Sequence, residues 1–167
     1  MKAIVYTSNT GYTEKYAQLL AEETGLPVYS LEKARHELAQ GTEIIYLGWL
    51  MAGKIKGYAA ASRRYRIAAV CGVGMSASGS QMQDLQKANK LPPELPLFTL
   101  QGGFDLQRLH GIYKLMMQTM AKTIGKGMAA KQNRSPEEEA MLELLLHGGD
   151  YVSRENLQAV LSWYQAQ

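Results

Sequence analysis

The sequence predicts a doubly wound α/β fold, in which five parallel strands alternate with helices. Short apolar runs are separated by amphipathic segments, a pattern typical of strands that are buried on both faces of a sheet. Polar or glycine-rich loops follow the first, third, fourth and fifth of these runs. Because such loops meet at the carboxyl edge of a parallel sheet, we expect strand order 2-1-3-4-5 and a ligand site at that edge.

Length and composition indicate one domain that spans residues 1–167. A hydrophobic share of 46% and a charged share of 20% are typical of a soluble globular protein, and no apolar run approaches the roughly 18 residues that cross a membrane. The single cysteine, Cys71, excludes an internal disulfide and agrees with a cytoplasmic location. The net charge of +3 is small and its basic residues are dispersed, which argues against a nucleic-acid partner.

Apolar runs and turn signals give the expected elements. The predicted strands are residues 3–6, 28–31, 43–49, 65–73 and 95–100. The predicted helices are residues 14–23, 32–40, 55–64, 81–91 and 154–165. The segment between the third strand and the third helix, residues 48–53, is expected to be a loop because it contains two glycines.

A helical insertion of about residues 104–150 is predicted between the fifth strand and the last helix. Leucines, a tyrosine and methionines recur at helical spacing over residues 105–131, and Ser135-Pro136 begins a second helix that runs to about residue 147. The methionine-rich stripe leaves three interpretations open. It packs in the core, docks a partner protein, or contacts a membrane surface without crossing it.

The stretch AIVYTSNTGYT at residues 3–13 is typical of a phosphate-binding turn. A buried strand ends in hydroxyl groups, an amide and Gly11, and a helix follows directly. The free N–H groups and the dipole at a helix N-terminus attract a phosphate. The alternative is an ordinary turn in which Ser and Thr cap the helix.

No side-chain catalyst or metal site stands out. The three histidines have no metal-ligand spacing, and there is no P-loop lysine, nucleophile elbow or dinucleotide fingerprint. A phosphate turn beside two loops with glycines and large apolar residues suits a flat aromatic group with a phosphate tail, and flavin mononucleotide (FMN) fits that description. The candidate cofactor-binding residues are Ser8, Asn9, Thr10, Gly11, Tyr12, Thr13, Gly48, Trp49, Leu50, Met51, Ala52, Gly53, Gly72, Val73, Gly74 and Met75.

TSNTGYTEKYA, residues 7–17, closely resembles the phosphate signature of flavodoxins, and the order of elements is similar to that family. The resemblance implies that residues 8–13 bind the FMN phosphate, and that the loops after strands three and four hold the ring. Flavodoxins usually carry an aromatic residue in each ring loop, where this chain has Ala52 and Ser78. They also tend to carry an aspartate near the position of Met75.

A subgroup of the flavodoxin-like proteins, which includes the menaquinone-dependent protoporphyrinogen oxidases, is similar in three further features. These are the GWLMAGKIKGY segment, the GGFD turn at residues 102–105 and the helical insertion. The resemblance implies an FMN redox protein that passes electrons to a partner protein. The alternative is an FMN-dependent oxidoreductase that acts directly on a tetrapyrrole or a quinone, and a flavin-free binding module is a third class.

Overall fold

The structure is a computed structural model that describes residues 1–105, 114–115, 118–119, 135–136, 139 and 148–167. The two helices that the sequence predicts in the insertion fall almost entirely outside these residues.

The main sheet and its helices alternate along the chain. The strands are β1 (Ala3–Thr7), β2 (Val28–Ser30), β3 (Glu43–Met51), β4 (Lys54–Ile55), β5 (Arg66–Gly74) and β6 (Leu97–Gln101). The helices are α1 (Tyr12–Thr24), α2 (Leu31–Glu37), α3 (Tyr58–Ser62), α4 (Met82–Asn89) and α5 (Gln158–Gln165), the last preceded by a 3-10 turn at Glu155–Leu157. A separate antiparallel pair joins β7 (Gly103–Phe104) to β8 (Gly149–Asp150).

The predicted doubly wound topology is confirmed. The order β2-β1-β3-β5-β6 corresponds to the expected 2-1-3-4-5, and every neighbouring pair along this path is parallel. The numbering differs because β4, which was not predicted, pairs antiparallel with the end of β3. The fold class therefore follows from the apolar runs alone.

The prediction of a loop at residues 48–53 is wrong. Strand β3 continues to Met51, and the chain turns at Ala52 and Gly53 into β4, where Met51 pairs with Lys54. Ala52 has φ +48° and Gly53 has φ +71°, and two positive φ values are what a two-residue hairpin turn with the strand's twist requires. The helix predicted at residues 55–64 is accordingly shorter, since α3 begins at Tyr58.

Two apolar cores lie on opposite faces of the sheet. Residues of α2, α3 and α4 pack on the face that carries Val5 and Tyr46, whereas α1 and α5 pack on the face that carries Ile4 and Leu47. This alternation follows from the two-residue period of a strand. Cys71 is buried in the second core, and burial raises the pKa of its thiol to about 12.

A buried polar cluster joins the end of β1 to the β3–β4 hairpin. The Tyr46 hydroxyl donates to the Lys56 carbonyl oxygen at 2.7 Å and lies 2.8 Å from Thr7 Oγ1. Burial raises the pKa of Tyr46, so its phenol keeps the proton that it donates. Gly57, with φ +81°, passes so close to both hydroxyls that a Cβ there would overlap them.

Replacement of Gly57 by alanine should therefore destabilise the fold far more than the strain of an alanine at a positive φ would do by itself. Gly41 is the matched control, because it has φ +80° and a Cβ there meets no atom within 4 Å. We expect Gly41→Ala to lower the free energy of unfolding by about 1 kcal/mol. Gly57→Ala should cost about 2 kcal/mol more, because it displaces buried hydroxyls. Urea denaturation of both variants gives the comparison, and equal losses would contradict the packing described.

Candidate functional site

A cleft opens at the carboxyl edge of the sheet. Its walls come from the turn after β1 with the start of α1, from the ends of β3 and β5, and from β7. The lining residues are Asn9, Thr10, Tyr12, Thr13, Trp49, Leu50, Met51, Val73, Gly74, Met75, Gly103 and Phe104. The cleft lies where the loops of a doubly wound sheet bind their ligands.

Ten of the sixteen predicted site residues line this cleft, drawn from all three predicted segments. Gly103 and Phe104 line it as well, although the sequence did not predict them as site residues. The sequence feature that could have indicated them is the glycine pair of the GGFD turn, which follows the last strand of the sheet. The ring of Tyr12 packs so closely on Gly103 that a Cβ there would lie 2.5 Å from the ring.

The turn after β1 brings the N-terminus of α1 to the cleft. Helix α1 begins after Gly11, which has φ +93° and provides no side-chain cap. Ser8 Oγ accepts a hydrogen bond from the Gly11 N–H at 3.1 Å, one residue before the helix, so the alternative in which Ser or Thr caps α1 is wrong. The first N–H groups of a helix have no intrahelical acceptor, and its dipole favours an anion there.

Asn9 in this turn has an unsatisfied buried polar atom. Its carboxamide oxygen is buried and has no hydrogen-bond partner. A buried polar atom without a partner costs about 1–3 kcal/mol, and such atoms are rare away from functional sites. Rotation of the carboxamide would present its NH₂ group instead, so Asn9 can bind either a hydroxyl or a phosphate oxygen.

Comparison with protein families assigns this fold. A family model described as a flavodoxin domain matches residues 3–130. The chain belongs to the flavodoxin domain family. Proteins of this family generally bind FMN, in agreement with the phosphate-type turn of this flavodoxin domain. Neither curated proteins nor solved structures gave a match, and the narrower protoporphyrinogen oxidase subgroup stays a prediction.

Six predicted residues of the flavodoxin domain lie outside the lining: Ser8, Gly11, Gly48, Ala52, Gly53 and Gly72. Ser8 and Gly11 shape the turn, and Ala52 and Gly53 form the exposed hairpin tip. Gly48 and Gly72 are paired neighbours in β3 and β5.

The glycines of β5 make room for a protein side chain. A Cβ at Gly72 or Gly74 would lie 3.0 Å or 2.9 Å from the methyl groups of Leu50. Leu50 thus covers the end of β5, and it defines the apolar floor between the two walls of the cleft. Large apolar side chains, including those of Trp49, Met51 and Met75, complete that part of the lining.

Ala52 and Ser78 stand at the positions where flavodoxins usually carry a ring-stacking aromatic residue, and neither could stack on a ring. Ala52 is exposed at the hairpin tip. Ser78 Oγ donates to Asn156 Oδ1 at 2.9 Å and accepts from the Gln101 N–H at 2.9 Å. Ser78 therefore anchors the loop after β5, and the aromatic groups in the described lining are instead Tyr12, Trp49 and Phe104.

Asn156 is the centre of a hydrogen-bond network that the sequence did not reveal. Its Nδ2 donates to the Tyr16 hydroxyl at 2.8 Å and to the Tyr151 carbonyl oxygen at 2.9 Å. The Tyr16 hydroxyl in turn donates to the Gln101 carbonyl oxygen, and burial raises its pKa. The network fixes the loop after β5 to α1 and to the end of β6. Its members are far apart in the chain, so no spacing indicates them.

None of the helices in the described part of the chain combines the length and hydrophobicity needed to cross a membrane. Over the same residues, no three His, Cys, Asp or Glu side chains lie close enough together to hold a metal ion.

A double-mutant cycle should detect the bond between Ser78 and Asn156. We expect Ser78→Ala to lower the free energy of unfolding by about 1 kcal/mol, and Asn156→Ala by about 2 kcal/mol because it removes several bonds. The double variant should lose about 0.5–1 kcal/mol less free energy of unfolding than the two single variants lose together, since both substitutions remove the same bond. Urea denaturation measures all three, and strict additivity would contradict the network.

Proposed function

We propose that this flavodoxin domain binds FMN in the cleft and passes electrons to a partner protein. The observation that carries the proposal is the chemistry of the lining. Among the described residues it contains no carboxylate, imidazole, amine or thiol, and Tyr12 is its one titratable side chain. A site of this kind offers no acid–base pair or nucleophile of its own, so the reactive group is the bound cofactor.

The turn at residues 8–13 suits the phosphate of FMN. The N-terminus of α1 offers N–H donors and a favourable dipole, while Thr10 and Thr13 add hydroxyl donors from the cleft wall. Asn9 would hydrogen-bond to the phosphate or to a hydroxyl of the ribityl chain, which satisfies its buried carboxamide. These donors bind a phosphate without help from a lysine or arginine in the described lining.

The apolar part of the cleft suits the flavin ring. Trp49, Met51 and Met75 would contact its faces and exclude water from it. FMN, when bound, supplies the one- and two-electron redox chemistry. The described lining places no negative charge beside the ring, and a nearby carboxylate would oppose the charge of a reduced flavin. We therefore expect a higher potential than in a site lined with acids.

Direct action on a tetrapyrrole or a quinone is the alternative function. Oxidation of a tetrapyrrole removes protons as well as electrons; a flavin can take up a hydride, and a side-chain base assists the release of the remaining proton. Tyr12 is the only titratable side chain of the described lining, and it is buried. The lining therefore favours electron transfer to a protein.

Replacement of Thr10 by aspartate should strongly weaken FMN binding through charge repulsion with the phosphate. Such repulsion at contact distance costs about 3 kcal/mol or more, which is on the order of 100-fold in Kd. The neutral, nearly isosteric Thr10→Asn is the matched control and should lose less than about ten-fold. Flavin fluorescence quenching gives the Kd values.

Riboflavin separates this electrostatic effect from a general disruption of the cleft, because it lacks the phosphate. We expect Thr10→Asp and Thr10→Asn to bind riboflavin with similar affinity. An aspartate variant that binds FMN as well as the parent chain would disprove the phosphate site. Equal losses for FMN and riboflavin would place the phosphate elsewhere.

Anaerobic rapid mixing distinguishes the carrier from the enzyme. Photoreduced holoprotein is mixed with a ferric cytochrome or with a soluble naphthoquinone, and oxidised holoprotein is mixed with a porphyrinogen. We expect the flavin to reoxidise fastest with the cytochrome, since an electron can leave without a bound substrate or a proton acceptor. Multiple turnovers on the porphyrinogen or quinone, with little reaction at the haem, would favour the enzyme.

A further inference from the structure

A basic groove lies beside the cleft, between the β3–β4 hairpin, α3 and the end of α4. Its charged described lining residues are Lys54, Lys56, Arg63 and Lys90, and none of its described lining residues is an aspartate or a glutamate. These four cations exceed the net charge of +3 of the whole chain, so the remainder of the protein is slightly acidic. The groove is therefore a local cluster of positive charge.

Three of the groove's cations are not neutralised by a described carboxylate. Lys15, Arg66 and Arg154 each pair with a carboxylate. By contrast, Lys54, Arg63 and Lys90 form no ion pair with any described carboxylate. Like charges that gather without partners repel each other, and they are tolerated at little cost only where solvent or a binding partner compensates them.

The groove is also held in a fixed shape. Asn89 on α4 accepts a hydrogen bond from the Ile55 N–H at 2.8 Å and donates to the Gly53 carbonyl oxygen at 2.9 Å. The Lys54 ammonium group donates to the Ala88 carbonyl oxygen. The hairpin is thus fastened to α4, and its cations are presented on rigid elements.

Trp49 connects the basic groove to the cleft. The Lys56 N–H donates to the Trp49 carbonyl oxygen at 3.0 Å, and the Lys56 ammonium nitrogen lies 5.8 Å from the centre of the indole ring. The same tryptophan lines the cleft. A molecule seated in the groove would therefore be one side chain away from the proposed flavin site.

We propose that the basic groove docks the acidic face of a protein that exchanges electrons with the cleft, an inference that rests on the proposed function. Complementary charge attracts such a partner and orients it, which raises the association rate. Each ferric haem of a haem partner takes one electron, so one two-electron-reduced flavin reduces two haems and returns to its oxidised form with release of its protons.

The surroundings of the groove favour a protein over a membrane surface. Membrane-surface helices carry large apolar side chains beside their cations. Among the described residues, the exposed large hydrophobic side chains are those of Met82, Leu115 and Tyr151, and none of them lines the groove. The groove thus offers charge without the apolar anchors that insert into lipid.

Native and succinylated cytochrome c provide a matched pair of probes. They share one fold and one haem, but succinylation replaces lysine ammonium groups with carboxylates and makes the protein acidic. Photoreduced holoprotein is mixed with each ferric form, and haem reduction is followed by stopped flow. We expect the acidic form to react at least about ten-fold faster at low ionic strength, and this advantage should disappear as salt is raised.

Lys54→Glu/Arg63→Glu tests the groove itself, and Lys2→Glu/Lys33→Glu is the control with the same change in net charge. Lys2 and Lys33 are exposed, at the amino end of β1 and on α2. We expect the groove variant to slow reduction of the acidic cytochrome about ten-fold and the control less than about two-fold. If the groove variant does not fold, Lys54→Gln/Arg63→Gln replaces it, with a smaller effect of the same sign.

Three outcomes would contradict the proposal that the groove docks an acidic protein. These are faster reaction with native cytochrome c, equal rates for the groove and control variants, or groove-dependent binding to phosphatidylglycerol vesicles with unchanged cytochrome rates. If the chain binds no FMN, the proposed function fails separately. Docking is then measured by calorimetry as salt-dependent binding of succinylated cytochrome c, which the groove variant must weaken and the control must not.

Discussion

The carboxyl edge of this protein depends on the close fit of the β3–β4 hairpin over the ends of the parallel strands. Thr7, Gly48 and Gly72 lie side by side across β1, β3 and β5. A Cβ at Gly48 would lie 2.5 Å from the Lys56 carbonyl oxygen, and one at Gly72 would press on Leu50. The two glycines therefore let the hairpin fold back, which puts Trp49 and Met51 on the cleft wall and Lys54 and Lys56 on the neighbouring groove.

The sequence predicts the sheet well because long-range strand order follows from local patterns. Apolar runs identify the strands, and the phosphate-type turn fixes which edge carries the site. The hairpin was missed because glycines within a short segment are typical of a loop. In addition, Ala52 adopts a positive φ, which an alanine in the sequence does not indicate. Asn156 was missed for a different reason, since its role depends on partners that only the folded chain assembles.

Positive electrostatics recur in the proposed site at two distances. At the turn after β1, where the phosphate is proposed to bind, the N-terminus of α1 supplies partial positive charge without a cationic side chain in the described lining. Further out, the basic groove supplies full charges at an exposed surface. The first acts on a bound group within contact distance, whereas the second acts over roughly a Debye length, so only the second can select a partner in solution.

The two proposed roles are compatible with a described cleft lining that contains no cation. A lysine beside the ring would stabilise the reduced flavin and hold its electrons, whereas a carboxylate would destabilise it. With neither present in the described lining, the ring environment stays apolar and close to neutral. The ammonium group of Lys56 lies 5.8 Å from the centre of the Trp49 ring and is not part of the described lining. The proposed carrier can therefore attract an acidic partner strongly while the driving force for electron release is set inside the cleft.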